Sequence, residues 1–148
     1  MKMRICSIVL VLFLASVASA LQTTFVFGKG IVGLDVEVQR FGPISINGVV
    51  AVDYFRVASS GDGDLTVVND NYAGPSIKIH TLGKDSRIDP YIGLSYLIQN
   101  ARVDDEFKVW EAGVDVFVND KVGIGLAYIT CKKFYRDDIL MVRAPIRW

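Results

Sequence analysis

Gly28, Gly30 and Gly33, within the stretch "FVFGKGIVGLDVEV" (residues 25–38), have the G-x-G-x-x-G spacing of a dinucleotide-binding turn. In that chemistry the glycines open a helix whose N-terminal amides hold the pyrophosphate, and an acidic residue about 20 positions further on binds the ribose. Here the residues after Gly30 alternate between apolar and polar, and the nearest suitable acid, Asp53, lies within another strand-like run. The sequence therefore predicts no nucleotide site, and the segment around Gly30 is predicted to be a tight turn between two strands.

His80 is the only histidine and the natural candidate for a general base. A Ser–His–acid set needs a serine nucleophile and a carboxylate that orients the imidazole. His80 has Thr81 beside it and Lys78 on its own face of the chain, and no serine motif accompanies it. We therefore expect a hydrogen-bonded interior histidine, no catalytic residues and no enzymatic activity.

The carboxylates of the longest predicted loop are the candidate metal ligands. Asp62, Asp64 and Asp70 lack the spacing and the bidentate glutamate of a calcium loop, so a solvated acidic loop is expected. The two cysteines are Cys6, in the N-terminal segment, and Cys131, which is predicted to be an inert small residue. The sequence therefore predicts no metal site and no cofactor.

Residues 1–20 have the layout of a secretory signal peptide. Lys2 and Arg4 form a basic start, an apolar run follows, and residues 18–20 (Ala-Ser-Ala) are a small-x-small cleavage site. The apolar run is too short to cross a bilayer; the alternative is a buried N-terminal helix. Residues 21–148 are predicted to form one exported domain, with 14 Lys and Arg against 16 Asp and Glu, a net charge of −2. No basic stripe indicates nucleic-acid binding.

From about residue 22 onward, the hydrophobic pattern has a period of two. In "VGLDVEVQ", Val32 and Leu34 lie on one face and Asp35 and Glu37 lie on the other, as successive side chains of a strand do. Six later runs alternate in the same way, and a short first strand near residues 22–27 brings the total to eight. The connections suit a meander, which predicts an all-β, eight-stranded antiparallel up-and-down barrel.

The composition of the two faces indicates a barrel that is apolar outside and polar inside, as in transmembrane β-barrels. The apolar faces carry large side chains and no charge, whereas the opposite faces mix small residues with charged ones. A narrow lumen would bring the charged side chains together as one network: Asp35, Glu37, Asp53, Lys78, Glu111, Asp115, Arg143 and Arg147. Because eight strands leave room only for side chains, a plugged lumen is favoured over a hydrophilic conduit.

Aromatic residues near the predicted strand ends are placed to form the interfacial girdles of a membrane barrel. They are Phe41, Tyr54, Trp110, Phe134 and Trp148. Any one of them could also be an ordinary core or edge aromatic, so the prediction rests on their joint position.

The segments "DPYIGLSYLIQNARV" and "WEAGVDVFVNDKVGIGLAYI", with the terminal strand ending in "IRW", resemble the small outer-membrane β-barrel family, which includes OmpA-like transmembrane domains, OmpX and OmpW. The resemblance covers most of residues 21–148 and is strongest from Asp89 onward. It implies a location in the bacterial outer membrane, contact with outer-membrane lipid, and recognition by the barrel-assembly machinery through a signal that includes the terminal aromatic, Trp148. Pro145 interrupts the last strand and is expected at a bulge or strand end.

These patterns predict a monomeric integral outer-membrane barrel with a structural or surface-interaction role, porin-like in architecture but with a largely plugged lumen. Two alternatives remain open. One is a soluble periplasmic or secreted β-sandwich or lipocalin-like protein that binds a small ligand, and the other is a lipid-modifying barrel enzyme. A soluble protein would need no detergent, and an enzyme would lose activity on replacement of His80.

Overall fold

The computed structural model describes residues 21–28, 30–59, 65–99, 102–130 and 139–148, and their side chains except those of residues 53–59, 65–70 and 102–107. Within these ranges, no helix is long and apolar enough to cross a membrane. The described residues form eight strands: β1 (Gln22–Gly28), β2 (Ile31–Phe41), β3 (Ile44–Ser59), β4 (Leu65–His80), β5 (Ile88–Gln99), β6 (Arg102–Phe117), β7 (Gly123–Thr130) and β8 (Ile139–Arg147). Each strand pairs with the next and β8 pairs with β1, so the antiparallel sheet closes into a barrel. The predicted fold class is confirmed, and the β-sandwich alternative is wrong.

The connections between strands alternate between two ends of the barrel. Short turns join β2 to β3, β4 to β5 and β6 to β7 at one end, which we call the turn end. The remaining strand ends lie at the opposite end, which we call the loop end. Leu21 and Trp148 lie at the turn end, where Leu21 N donates to Glu37 O at 3.0 Å and Trp148 N donates to Leu21 O at 3.2 Å. The predicted meander, with both ends of the domain beside the short turns, is confirmed.

The dinucleotide-like glycines serve the first hairpin. Gly28 ends β1, Gly30 lies in the following turn with a φ of 80°, and Gly33 lies within β2. A positive φ strains residues that carry a Cβ but not glycine. Because the turn leads into a strand, no helix N-terminus is present there to hold a pyrophosphate. The predicted tight turn is confirmed.

Three strands extend further toward the loop end than hydrophobic alternation predicts. β3 runs to Ser59, β4 begins at Leu65 instead of Ala73, and β6 begins at Arg102 instead of Val109. The predicted loops at residues 58–71 and 102–106 are therefore too long. The ladder is made by backbone groups, so it continues through residues whose side chains do not alternate.

The barrel interior is layered from one end to the other. Near the loop end, two small apolar clusters contain Tyr72, Leu97 and Val109, and Val26, Ile139 and Met141. The middle holds buried charged side chains, and the turn end holds buried polar ones around His80. On the outside, large apolar side chains are exposed along most strands, for example Phe25, Ile77 and Leu126.

Candidate functional site

Five charged side chains from four strands meet in the middle of the barrel. We call them the central cluster: Asp35 on β2, Lys78 on β4, Glu111 and Asp115 on β6, and Arg143 on β8. Each of the five is more than nine-tenths buried. Because β6 and β8 are separated by β7, the contacts between them cross the interior rather than follow one ladder.

Arg143 makes most of the contacts within the central cluster. Its Nε donates to Asp115 Oδ1 at 2.9 Å, its Nη2 donates to Asp115 Oδ2 at 3.2 Å, and its Nη1 donates to Glu111 Oε1 at 2.6 Å. Lys78 forms an ion pair with Asp35, and its Nζ lies 3.4 Å from Glu111 Oε2. Charge-assisted and bidentate hydrogen bonds of this kind are the strong ones. They compensate for the desolvation of the five buried charges.

Tyr91, on β5, packs against both cations of the central cluster. Its ring centroid is 4.5 Å from Lys78 Nζ and 4.7 Å from Arg143 Cζ, and its hydroxyl donates to Glu111. An aromatic face attracts a cation through its quadrupole, most strongly where water is excluded. The ring therefore packs against both cations, which also share Asp35 and Glu111 as ion-pair partners. Alternation places Tyr91 inside, but it does not indicate this role.

Two glycines on the inner face make room for the central cluster. A Cβ at Gly113 would collide with the Tyr91 ring and hydroxyl, and a Cβ at Gly125 would collide with the Asp115 carboxylate. The small residues on the predicted polar face are thus complementary in space to its large charged residues. Which glycine lies beside which large side chain depends on strand register, because register brings together residues that are far apart in sequence.

A second polar group occupies the turn end. Ser45 Oγ lies 2.9 Å from His80 Nε2, and His80 Nδ1 lies 2.8 Å from Asp89 Oδ1. The guanidinium of Arg40 continues this group, with its Nη1 3.5 Å from Asp89 Oδ2 and 3.7 Å from Glu37 Oε2. We call these five residues the turn-end cluster. Sequence reasoning missed Ser45 and Asp89 as partners of His80, because no local motif relates them.

Ser45, His80 and Asp89 have the order of contacts of a Ser–His–Asp set. Catalysis also requires that a substrate reach the nucleophile, yet Ser45 is 0% exposed and lines neither of two interior cavities, although His80 lines the one at the turn end. The hydroxyl also donates to Asn47 Oδ1 at 2.8 Å, which competes for its one hydrogen. The arrangement therefore satisfies buried polar groups and joins β3, β4 and β5.

The residues of the predicted lumen network are divided among several places. Asp35, Lys78, Glu111, Asp115 and Arg143 come together in the central cluster, whereas Glu37 lies in the turn-end cluster. Arg147 stacks on Phe117, with its Cζ 3.4 Å from the ring centroid, and donates to Ser86 O at 3.1 Å. The side chain of Asp53 lies outside the described residues.

The predicted girdle aromatics that are described all face outward. Phe41 and Trp148 lie at the turn end, and Trp110 on β6 pairs with Thr130 at the end of β7. Trp148 Nε1 also donates to Thr23 Oγ1 at 3.0 Å, next to the seam between β1 and β8. The side chain of Tyr54 lies outside the described residues, as do Phe134 and Cys131.

Between the central cluster and the loop end, the interior contains a cavity. Its walls are mainly apolar and include Val26, Val49, Ala51, Tyr72, Leu97 and Met141. Asp35, Glu111 and Arg143 border the same cavity from the middle of the barrel. Over the part of the chain with described side chains, no group of three or more His, Cys, Asp or Glu residues is arranged to hold a metal ion.

A closed antiparallel barrel with exposed apolar side chains outside and paired charges inside defines the class to which the fold belongs, that of small β-barrels. Among solved structures, the chain is similar to the crystal structure of the N-terminal β-barrel domain of Pseudomonas aeruginosa OprF, with a TM-score of 0.62 and 9% identity over 86% of this chain and 94% of that one. The OmpA-like barrel fold implied by the resemblance is therefore confirmed. No model of a known protein family and no curated protein matches the sequence.

Proposed function

We propose that the chain is an integral β-barrel protein of a bacterial outer membrane, with a structural or surface-interaction role. In this proposal residues 1–20 are the export signal, residues 21–148 form a monomeric barrel, and the barrel has no enzymatic activity and needs no cofactor. Outer-membrane lipid surrounds it, and the barrel-assembly machinery inserts it, with Trp148 as part of the recognised signal.

The observation that carries the proposal is the inverted distribution of side chains. Large apolar residues are exposed along successive strands, whereas the charged residues of the central cluster are buried. Water would meet a continuous apolar surface, which monomeric soluble proteins rarely present. A bilayer matches this surface, and barrel closure leaves no unpaired strand edge at membrane depth.

The filled middle of the barrel supports a plugged lumen. Arg143 and Lys78 bridge carboxylates on different strands, and the Tyr91 ring packs against both cations. A barrel of this strand number has an interior that side chains can fill. The proposed protein is therefore porin-like in architecture without an open aqueous conduit.

Two rival functions remain as outcomes of the test. A lipocalin-like soluble protein would also be a closed barrel, but its outer surface would have to be polar. A lipid-modifying enzyme would need an accessible nucleophile, whereas Ser45 beside His80 is fully buried and lies at the turn end.

Cell fractionation followed by electrophoresis tests the proposal. We expect the mature chain in the outer-membrane fraction, extracted only by detergent, with a band whose mobility changes on boiling because the closed barrel resists detergent until it is heated. A chain that remains soluble without detergent would overturn the proposal and favour the lipocalin-like alternative.

A pair of matched substitutions sharpens the test. Leu126 is 49% exposed in the middle of β7, between Val114 and Val142, and Val118 is 76% exposed in the turn between β6 and β7. In a membrane, Leu126→Arg should cost about 2–4 kcal/mol of barrel stability, and Val118→Arg about 0–1 kcal/mol. In a soluble barrel both changes would be tolerated, so equal effects in a lipid-based unfolding assay would contradict membrane insertion.

A further inference from the structure

The cavity at the loop end of the barrel is small. Its volume is about 90 Å³. An apolar cavity of about 150 Å³ holds one benzene ring, so a volume of this order takes only a small apolar group. The site therefore suits a short aliphatic chain or a single ring, not a complete lipid.

The walls of this cavity are apolar, whereas its floor is charged. The walls are formed by apolar side chains from several strands, including Val49, Leu97 and Met141. The floor is the central cluster, of which Asp35, Glu111 and Arg143 border the cavity. A cavity with apolar walls and a few polar groups at one side is the usual form of a small-molecule site, in which the polar groups set the orientation.

The floor carries an excess of negative charge. Asp35, Glu111 and Asp115 supply three carboxylates, whereas Lys78 and Arg143 supply two cations. In a site that excludes water, an unbalanced charge is costly and an opposite charge compensates for it. The cavity should therefore favour a ligand whose polar end is positive and disfavour a carboxylate.

Glu111 is the member of the central cluster best placed to meet such a ligand. Its side chain is 8% exposed, the largest value among the five. Its Oε1 accepts hydrogen bonds from Tyr91 and Arg143, whereas Lys78 Nζ lies 3.4 Å from Oε2. A carboxylate oxygen accepts two hydrogen bonds, so among the described residues Oε2 retains capacity for one more donor.

We propose that the loop-end cavity binds a small hydrophobic organic cation, with its apolar body against the walls and its ammonium group at Glu111. The central cluster closes the cavity toward the turn end. We expect the ligand to bind in the cavity and not to pass through the barrel. The inference concerns the barrel interior, and its test in lipid rests on the proposed membrane insertion.

Calorimetric titration with matched six-carbon probes tests this inference. The full chain is titrated in lipid nanodiscs with n-hexylammonium, hexan-1-ol and hexanoate, and empty nanodiscs correct for partitioning into lipid. The heat-dependent gel shift verifies that the barrel is closed, so failure to fold or insert is distinguished from failure to bind. We expect saturable binding of hexylammonium at least tenfold tighter than that of the other two probes. No saturable binding, or equal affinity for all three, would overturn the proposal.

Matched variants assign the binding to the cavity. Ala51 lines the cavity, and its neighbour Val50 does not. Ala51→Phe should weaken hexylammonium binding at least tenfold by filling the space, whereas Val50→Phe should leave it unchanged. Binding that survives Ala51→Phe would place the probe elsewhere and overturn the proposal.

A second pair of variants separates contact with Glu111 from the general field of the central cluster. Glu111→Gln and Asp115→Asn remove the same charge, but only Glu111 borders the cavity. Glu111→Gln should abolish the preference for hexylammonium over hexanol, and Asp115→Asn should retain the larger part of it. An equal loss of this preference in the two variants would overturn the role of Glu111. If either variant fails to close, the probe series and the Ala51 and Val50 variants still decide whether the cavity binds the cation.

Discussion

Arg143 and Asp115 are joined by two hydrogen bonds, from Nε to Oδ1 at 2.9 Å and from Nη2 to Oδ2 at 3.2 Å, across the interior of the barrel. The two residues belong to β8 and β6, which share no ladder. Their contact therefore links β6 and β8, which backbone hydrogen bonds do not join directly. It also fixes the position of Asp115 against Gly125.

Replacement of Arg143 should destabilise the barrel strongly. Arg143→Met leaves three buried carboxylates with Lys78 as their remaining cation in the central cluster, and breaking a buried ion pair on one side costs about 3–5 kcal/mol. The control is Arg87→Met, because Arg87 is exposed in the turn between β4 and β5, where such a change costs less than about 0.5 kcal/mol. Urea unfolding followed by tryptophan fluorescence compares the two. Similar decreases in the free energy of unfolding for the two variants would contradict the structural role of the central cluster.

Addition of a methyl group at Gly125 should also destabilise the barrel. The new Cβ of Gly125→Ala would collide with Asp115 and with the backbone of Val114, and overpacking of this kind costs about 1–3 kcal/mol. Gly48→Ala is the matched control, because Gly48 also lies within a strand but has no atom within 4 Å of a Cβ built there. Its midpoint of urea unfolding should stay the same or rise slightly. A Gly125→Ala barrel as stable as wild type would show that Asp115 moves without cost.

Ser45 should be unreactive toward a fluorophosphonate probe, even though His80 and Asp89 accompany it. The serine is buried, and Asn47 accepts its hydroxyl hydrogen. A serine hydrolase labelled in the same detergent serves as the positive control. Mass-spectrometric detection of the probe on Ser45 would reverse this conclusion and support an enzymatic function.

The folded protein should show no steady ionic conductance in a planar bilayer. Tyr91→Ala should introduce conductance, because it removes a buried ring that packs against Lys78 and Arg143 in the lumen. Ile92→Ala is the control, since Ile92 is the next residue and faces outward. Steady conductance of the wild-type protein would contradict a plugged lumen.

Period-two alternation predicts the closed barrel and the two faces of most strands; in β2 it places Val36 on the apolar outer face, but this residue is 0% exposed. In β8, for example, Leu140 and Val142 face outward and Arg143 faces inward, as the sequence pattern predicts. Pro145 lies inside where the ladder between β7 and β8 is interrupted, from the pair Gly125 and Arg143 to the isolated bridge Val122 and Ile146. A missing N–H is tolerated at such a gap.

Partners within the lumen could not be predicted, because they depend on register and on the curvature of the closed sheet. Ser45 and His80 are 35 residues apart, and Arg143 and Asp115 are 28 apart. The sequence pattern placed these side chains on the inner face without fixing their height along the barrel. Glu37 and Arg147 were accordingly grouped with the central residues, although both lie nearer the turn end.

The ladder between β1 and β8 differs from the other ladders in how far apart its strands lie along the chain. It joins residues 22–27 to residues 142–147, whereas the other ladders join consecutive strands. Closing a loop of about 120 residues costs about 2 kcal/mol more chain entropy than closing one of about 10. Contacts of such high contact order form slowly. Until they form, β1 and β8 each present a free edge that can pair with another molecule. The nearly complete sheet is therefore exposed to aggregation through both edges until β1 and β8 pair.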